Sequence, residues 1–246
     1  MQVALFVPCY VDQFFPGAGV ATLALLEKLG CTVDYPLEQT CCGQPMANAG
    51  CEAEAVPVMR HFVETFAGYD YVVAPSGSCV LHVREHYDRL PETPAVRHVR
   101  ARTFELCQFL TDVLRVERVA AAFPHRVGLH ASCHGLRGLR LGRASELQAP
   151  PYDRVRRLLE QVDGIELVEL DRWDECCGFG GTFAVTEEAV SVRMGRDRLA
   201  DHVAHGAEVI AGTDLSCLMH LEGLARRERL PVRLLHVAEI LNGTKL

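Results

Sequence analysis

The sequence predicts an α/β fold of two pseudo-repeated lobes, each a small parallel sheet flanked by helices. Two observations predict it. Strand-length apolar runs alternate with helical segments, and the second half of the chain repeats the cysteine pattern of the first. The 246 residues are enough for two domains of ordinary size, and we place the lobes at residues 1–115 and 116–246.

Strands and helices alternate through the first half. The period of the apolar residues decides each element, and Gly30 ends the first helix. The predicted elements are a strand at Val3–Val7, a helix at Val20–Leu29, a turn-rich stretch at Tyr35–Gly50, a helix at Glu52–Phe66 despite Pro57, a short buried strand at Tyr71–Ala74 and an apolar helical segment from Phe104 to Leu114.

The second half repeats this alternation after a segment, Pro91–Arg126, that we expect to bridge the lobes. Thr186 is the predicted N-cap of its longest helix, because acidic residues follow directly in the first turn. The predicted elements are a strand at Val127–His130, a helix at Tyr152–Val162, a strand at Ile165–Leu170, a helix at Thr186–His205, a strand at Glu208–Ala211 and an apolar helical segment from Leu234 to Leu241.

Composition excludes several classes of protein. The chain is 49% hydrophobic, so it can bury enough surface to offset its conformational entropy and is not disordered. No apolar run approaches the roughly 20 residues of a membrane span, and the start lacks the basic and apolar regions of a secretory signal. Lys and Arg number 25 against 32 Asp and Glu, a net charge of −7 with no basic block, which disfavours nucleic acid as a partner. We expect a cytoplasmic protein.

Eleven cysteines are the most informative count, because an odd number without an export signal disfavours a disulfide framework. No Cys-x-x-Cys occurs, whereas Cys-Cys-Gly occurs twice. Each half carries Cys … Cys-Cys-Gly … Ser-Cys in the same order, and the four-cysteine sets are Cys9, Cys41, Cys42 and Cys79, then Cys133, Cys176, Cys177 and Cys217. Cys31, Cys51 and Cys107 fall outside the pattern and are expected to be packing or surface residues.

Four thiolates per half suit an iron–sulfur cluster, whose irons are held by cysteine. Adjacent side chains diverge in an extended chain, so the Cys-Cys pair needs a turn, which the next glycine permits. A cluster also needs backbone N–H donors at close range. The candidate backbone donors are Gly43 in the first half and Gly178, Gly180 and Gly181 in the second. If only one site is filled, this difference favours the second.

Two other interpretations of the cysteines stay open. The pairs could themselves react, as in a thiol–disulfide redox protein, although adjacent cysteines form only a strained, easily reduced disulfide. The thiols could also hold zinc in a structural module. The sequence has no flavin or nicotinamide fingerprint and no ferredoxin run, so an oxidoreductase of this kind would need partner subunits.

Four motifs resemble the cysteine-rich (CCG) domain proteins, which include a component of heterodisulfide reductase, and most closely the lactate-utilisation protein A family. They are Cys-x-x-Asp at Cys9–Asp12, Cys-Cys-Gly-Gln-Pro at Cys41–Pro45, Pro-Ser-Gly-Ser-Cys at Pro75–Cys79 and Cys-Cys-Gly-Phe-Gly-Gly-Thr-Phe at Cys176–Phe183. The resemblance implies one or two [4Fe-4S]-type clusters on the eight patterned cysteines. It also implies an electron-transfer role in oxidising L-lactate, a small 2-hydroxy acid, to pyruvate, together with a ferredoxin-like iron–sulfur subunit and a third subunit.

One departure from the heterodisulfide reductase pattern concerns the closing Cys-x-x-Cys. Here Ser76 and Asp214 stand at the earlier position, so four-cysteine ligation, or an added oxygen ligand, replaces the expected five cysteines. His82 and His220 each follow the closing cysteine by three residues, on the same helix face, and are either ligands or proton relays, or hydrogen-bonded helix histidines. His134, beside Cys133, is either a donor to a cluster sulfur or a surface residue.

Overall fold

The computed structural model describes residues 1–245 and contains two four-stranded sheets, both entirely parallel. The first sheet has the order β2-β1-β3-β4 and the second the order β6-β5-β7-β8. The strands are β1 (Gln2–Leu5), β2 (Thr32–Asp34), β3 (Tyr71–Ala74), β4 (Thr103–Glu105), β5 (Arg126–His130), β6 (Glu166–Leu167), β7 (Val209–Gly212) and β8 (Arg233–His236).

Twelve α-helices connect and flank these strands within the described residues, with π-helical turns at Phe109–Val113 and His134–Gly138 and a 3-10 turn at Tyr87–Arg89. The helices are α1 (Cys9–Phe14), α2 (Pro16–Lys28), α3 (Gln44–Asn48), α4 (Glu52–Phe66), α5 (Gly77–His86), α6 (Pro94–Arg102), α7 (Leu106–Gln108), α8 (Arg154–Leu159), α9 (Phe183–Thr186), α10 (Glu188–Ala204), α11 (Leu215–Glu228) and α12 (Val237–Leu241).

The predicted fold class is confirmed, because both sheets have the same strand order and each is flanked by helices. The helix at Glu52–Phe66 and the strand at Tyr71–Ala74 have the predicted bounds. Pro57 lies in the second turn of α4, whose apolar face supplies Met59, Phe62 and Phe66 to the core.

The segments that close each half were wrongly predicted as wholly helical. Each begins with the fourth strand of its sheet, β4 or β8, before a short helix follows. Periodicity cannot separate a strand of three or four residues from the helix that follows it directly, since so short a segment shows neither period. The bridge predicted at Pro91–Arg126 is also too long, because α6 and β4 belong to the first lobe.

The segments around the cysteine pairs contain helices that the sequence did not indicate. Part of the stretch predicted as turns at Tyr35–Gly50 is helical, forming α3 directly after Gly43. In the second half α9 occupies the corresponding place and ends at Thr186. Thr186 is therefore not the N-cap of the long helix; Glu187 precedes α10, and its side chain makes no capping hydrogen bond.

The two lobes meet at equivalent points of their sequences. Ser76 and Asp214, each three residues before a closing cysteine, form an isolated antiparallel β-bridge. The Ser78 amide donates to Oδ2 of Asp214 over 2.7 Å, and the Gly77 amide donates to the carbonyl of Thr213 over 3.3 Å. The lobes are therefore related by a pseudo-twofold axis between the N-termini of α5 and α11. In this arrangement the carboxyl edges of both sheets face one site.

The helices of residues 1–245 include none that is both apolar enough and long enough to cross a bilayer. The longest, α10, has 17 residues and carries charges along its length.

The buried carboxyl of Glu105 at the end of β4 makes stability depend on pH. Burial raises its pKa from 4.5 to about 7, although its oxygen accepts the Gln108 amide over 3.0 Å. Between these two pH values the folded chain keeps a proton that the unfolded chain has released. The free energy of unfolding should therefore fall as pH rises through this window, by on the order of 3 kcal/mol. Denaturant titrations at several pH values should show this slope in the wild type and its loss in Glu105→Gln.

Candidate metal centre

The first set of four cysteines comes together from three loops that follow strand ends. Cys9 opens α1 after β1, Cys79 lies in the first turn of α5 after β3, and Cys41 and Cys42 precede α3. The Sγ atoms of Cys9 and Cys41 are 3.8 Å apart. The thiol of Cys42, only 1% exposed, interacts with those of Cys41 and Cys79, so all four sulfurs form one contiguous group.

The second set has the same arrangement. Cys133 follows β5, Cys217 lies in the first turn of α11 after β7, and the Cys176–Cys177 pair precedes α9. The Cys176 thiol interacts with those of Cys133 and Cys177, and the Cys177 thiol with that of Cys217. The structure thus places all eight patterned cysteines in two groups of four; that they ligate a metal stays a prediction.

The glycine after each pair makes the turn that gathers the adjacent thiols. Gly43 and Gly178 both have φ = +89°, the left-handed region that glycine adopts without strain. The Gly43 amide donates to Sγ of Cys41, and the Gly178 amide to Sγ of Cys176, over 3.4 Å in both lobes. Among residues 1–245 the second lobe alone has a further amide in place, that of Phe179, which donates to Sγ of Cys177 over 3.5 Å.

Gly180 and Gly181 extend this backbone along the second set. Both have positive φ, +55° and +67°, and both line the cavity described below. Neither amide donates to a sulfur in this structure, so their role as cofactor contacts stays a prediction.

One thiol in each group is set to ionise first. Hydrogen bonds from the Cys42 and Cys9 thiols and the Gly43 amide lower the pKa of Cys41 to about 3. Bonds from the Cys133 and Cys177 thiols and the Gly178 amide likewise lower the pKa of Cys176 to about 2. The thiols that donate these bonds have raised pKa values, because they keep their protons for the bonds and are partly or fully buried. They are Cys9, Cys42, Cys133 and Cys177. Metal binding would therefore release protons from these thiols.

Both groups open onto one cavity between the lobes, with a volume of ≈ 470 Å³. Helices α5 and α11 both begin at this cavity, with their positive N-terminal ends directed to it. The cysteines that line it are Cys9, Cys42, Cys79, Cys133, Cys176, Cys177 and Cys217.

Ser76 and Asp214 also line this cavity, and both cap helices. Ser76 Oγ accepts the Cys79 amide over 3.3 Å at the start of α5. Oδ1 of Asp214 accepts the amide and hydroxyl of Ser216, while Oδ2 accepts the Ser78 amide across the lobe junction. Capping and lobe contact account for the polar atoms at these two departures from the cysteine pattern.

Removing the Asp214 carboxylate should destabilise the chain more than removing the Ser76 hydroxyl. Asp214→Ala leaves the buried Ser78 amide without its acceptor, at about 1–3 kcal/mol, and also the half-buried Ser216 amide and hydroxyl, at a smaller cost for each. Ser76→Ala loses one cap, at about 1 kcal/mol. Denaturant unfolding of the two variants measures the difference; equal losses would show that the Asp214 contact across the lobes contributes nothing.

The two histidines after the closing cysteines both lie beside their sulfur group. His82 is 2% exposed and close to Cys41, and burial lowers its pKa to about 4, with His86 stacked on its ring at 5.3 Å. His220 is half-buried near Cys176, and its Nε2 lies 3.4 Å from the carbonyl of Ser191. His134 is exposed at the cavity wall.

The three cysteines outside the pattern lie away from both groups. Cys31 and Cys107 are buried in the core and Cys51 is exposed just before α4. All eleven cysteines are free thiols. This agrees with the expected packing and surface positions.

One residue of the second group was missed at the sequence level. A ring nitrogen of His130 and the sulfurs of Cys177 and Cys217 all lie within 4.8 Å of one another. His130 ends β5, three residues before Cys133, and Phe6 holds the equivalent place in the first lobe. A histidine where the first lobe has a phenylalanine was the sequence signal that could have identified His130.

The donor set fits a thiophilic metal group. Each group offers four sulfurs, one of them with a lowered pKa, with backbone amides pointing at sulfur and a cavity that accepts more than a single ion. Hard cations such as Mg²⁺ prefer oxygen, which Ser76 and Asp214 use for helix caps.

Comparison with known proteins decides the family. Residues 3–84 and 127–222 match the family model of the cysteine-rich domain CCG. A "Lactate utilization protein A" of Exiguobacterium sp. is 44% identical over 248 residues, covering 98% of this chain and 97% of that protein. The protein of the same name from Halalkalibacterium halodurans is 41% identical over 246 residues, covering 98% and 97%. The chain belongs to the lactate utilization protein A family of CCG proteins.

The two matched CCG segments lie one in each lobe, and each ends before the fourth strand of its sheet, β4 or β8. The resemblance inferred from the motifs is thereby confirmed. Among solved structures, a hypothetical protein from Helicobacter pylori superimposes with a TM-score of 0.61 at 12% identity, covering 100% of this chain and 49% of that one. The chain thus spans about half of that protein's length, and the likeness concerns the fold alone.

Proposed function

We propose that this chain is an iron–sulfur subunit of an oxidoreductase system that converts L-lactate to pyruvate. Each group of four cysteines would hold a [4Fe-4S]-type cluster, and the chain would pass electrons to a partner. The observation that carries the proposal is the pair of four-sulfur groups on one cavity, in a chain whose near-full-length relatives are called lactate utilization protein A.

The chain's own residues would hold, insulate and polarise the bound group. The ligands would be Cys9, Cys41, Cys42 and Cys79 in one lobe and Cys133, Cys176, Cys177 and Cys217 in the other. The amides of Gly43, Gly178 and Phe179 already donate to sulfur and would offset the negative charge of the ligated thiolates. A cluster bound there would supply one-electron uptake and release.

Partner subunits follow from the electron balance. Oxidising lactate to pyruvate releases two electrons and two protons, and this sequence has no flavin, nicotinamide or ferredoxin motif to receive or export them. We propose a ferredoxin-like iron–sulfur subunit and a third subunit as partners, in the cytoplasm, where thiols stay reduced. The lactate site would be completed in that complex.

Zinc is the second candidate, favoured by one distance. The Cys9 and Cys41 sulfurs are 3.8 Å apart, and a tetrahedron of roughly 2.3 Å Zn–S bonds has edges of about 3.8 Å. Against a structural zinc module stands the open cavity shared by both groups, since structural zinc sites are closed by their four ligands.

The decisive experiment for this function combines the anaerobically purified chain with the proteins encoded beside its gene and adds L-lactate. We expect lactate-dependent reduction of a cluster in this chain, detected as the appearance of a paramagnetic signal, and formation of pyruvate. The matched control is the same mixture containing the Cys177→Ser variant, which should form little pyruvate. Full pyruvate formation without this chain, or with the variant, would refute the proposal.

A further inference from the structure

His130 gives the second sulfur group a polar neighbour at a position where the first lobe has an apolar one. Its side chain is 1% exposed, and a ring nitrogen lies within 4.8 Å of the sulfurs of Cys177 and Cys217. Phe6, the equivalent residue of the first lobe, is fully buried and packs edge-on against Phe62 at 4.9 Å. The two groups therefore differ in one specific contact.

Arg198 fixes which nitrogen of His130 carries the proton. Nε of Arg198 donates to Nδ1 of His130 over 3.3 Å. A guanidinium has only donors, so Nδ1 must be the acceptor, and in a neutral ring the proton then sits on Nε2. An imidazolium has no acceptor nitrogen, so the contact with Arg198 holds the ring in its neutral form.

Arg198 is itself held rigidly, so it can orient the ring. It is fully buried and pairs with Asp201, with Nη1 of Arg198 and Oδ2 of Asp201 separated by 2.9 Å. Its remaining N–H groups donate to the carbonyls of Arg172, over 2.7 Å, and of Trp173, over 3.3 Å. The orientation of the His130 ring is thus fixed by a chain of buried hydrogen bonds.

The Nε2 atom of His130 is buried and has no hydrogen-bond partner among residues 1–245. A buried N–H without an acceptor costs about 1–3 kcal/mol. The sulfurs of Cys177 and Cys217, within 4.8 Å of a nitrogen of the same ring, are the candidate acceptors. We propose that His130 donates its Nε2–H to the sulfurs of the second lobe and thereby raises the reduction potential of the cluster bound there above that of the first lobe.

A hydrogen bond to a ligating sulfur stabilises the more negative, reduced state, and this raises the potential. An electron entering the chain would then reside preferentially in the second lobe. The inference rests on the proposed function, because it concerns a bound cluster. Since the bond from Arg198 keeps the ring proton on Nε2, His130 would act as a donor to sulfur and not as a metal ligand.

Redox titration of the cluster-loaded chain tests the effect. The Cys42→Ser background retains only the second group. In it, His130→Phe should lower the midpoint potential by roughly 59 mV, which corresponds to a tenfold change in the oxidised-to-reduced ratio. His130→Gln, which restores an N–H, should recover part of this shift. The matched control, Phe6→Leu in the other lobe, should leave the potential unchanged. Retained iron with an unchanged potential in His130→Phe overturns this inference alone.

A second measurement needs no cluster. Nitrogen-15 NMR of the histidine-labelled, metal-free chain should show His130 with Nε2 protonated and Nδ1 unprotonated. A protonated Nδ1 would overturn the inference whatever the fate of the variants. Absence of iron and sulfide from the wild type would instead refute the proposed function, and this inference with it.

Discussion

The Cys177→Ser variant is expected to lose the metal group of the second lobe while keeping that of the first. Cys177 is 2% exposed and its thiol interacts with those of both Cys176 and Cys217, so it is one of the two middle sulfurs of its group. A serine hydroxyl is a hard, poorly ionised ligand that replaces a thiolate badly in an iron–sulfur site. Iron and acid-labile sulfide should fall to about half of the wild-type content.

Two further variants control this prediction. Cys42→Ser, at the equivalent place in the first lobe, should remove the other half, and the double variant should bind neither group. Cys51→Ser changes an exposed cysteine outside both groups and should keep the full content. Unchanged iron in Cys177→Ser, or an equal loss in Cys51→Ser, would contradict the assignment of the ligands.

Gly178→Ala is expected to be the most disruptive single methyl addition near the site. Gly178 has φ = +89°, and a Cβ there would lie 2.6 Å from the carbonyl oxygen of Ser191 and 2.8 Å from Cβ of Met194. Both neighbours belong to α10, so the helix or the cysteine turn must move. We expect a loss of roughly 2–5 kcal/mol in stability, from the left-handed backbone and the overpacking together, with weakened metal binding in the second lobe.

Gly43→Ala is a matched comparison, since Gly43 has the same φ of +89° but its Cβ would come no closer than 3.4 Å, to the flexible side chain of Met59. It should lose only the backbone cost, roughly 1–2 kcal/mol. Denaturant unfolding of both metal-free variants isolates the contact with Ser191. Equal losses in the free energy of unfolding would show that α10 can shift without destabilising the chain. The left-handed turn alone would then explain the requirement for glycine.

The duplicated lobes and the two sulfur groups could be predicted from the sequence. Both depend on the order of strands, helices and cysteines along the chain, which repeats in the second half. The cysteines follow strand ends, and carboxyl ends of parallel strands share one edge, so Cys9 and Cys79 had to approach each other once the strands paired. The same reasoning brings Cys133 to Cys217.

Other features depended on packing that sequence periodicity does not contain. The strands β4 and β8 have three and four residues and run directly into a helix, which is too short a length for a strand period to show. His130 had no spacing signal, since its role depends on Arg198, 68 residues away along the chain. The bridge between Ser76 and Asp214 required knowledge of how one lobe faces the other.

The most direct test of the central claim is quantification of iron, acid-labile sulfide and zinc in the wild-type chain purified without oxygen. Two occupied four-cysteine groups predict iron and sulfide in equal amounts, about four of each per group, with the broad visible absorption of a cluster. Stoichiometric zinc without sulfide, or a colourless chain that stays free of iron after reconstitution, would contradict the account.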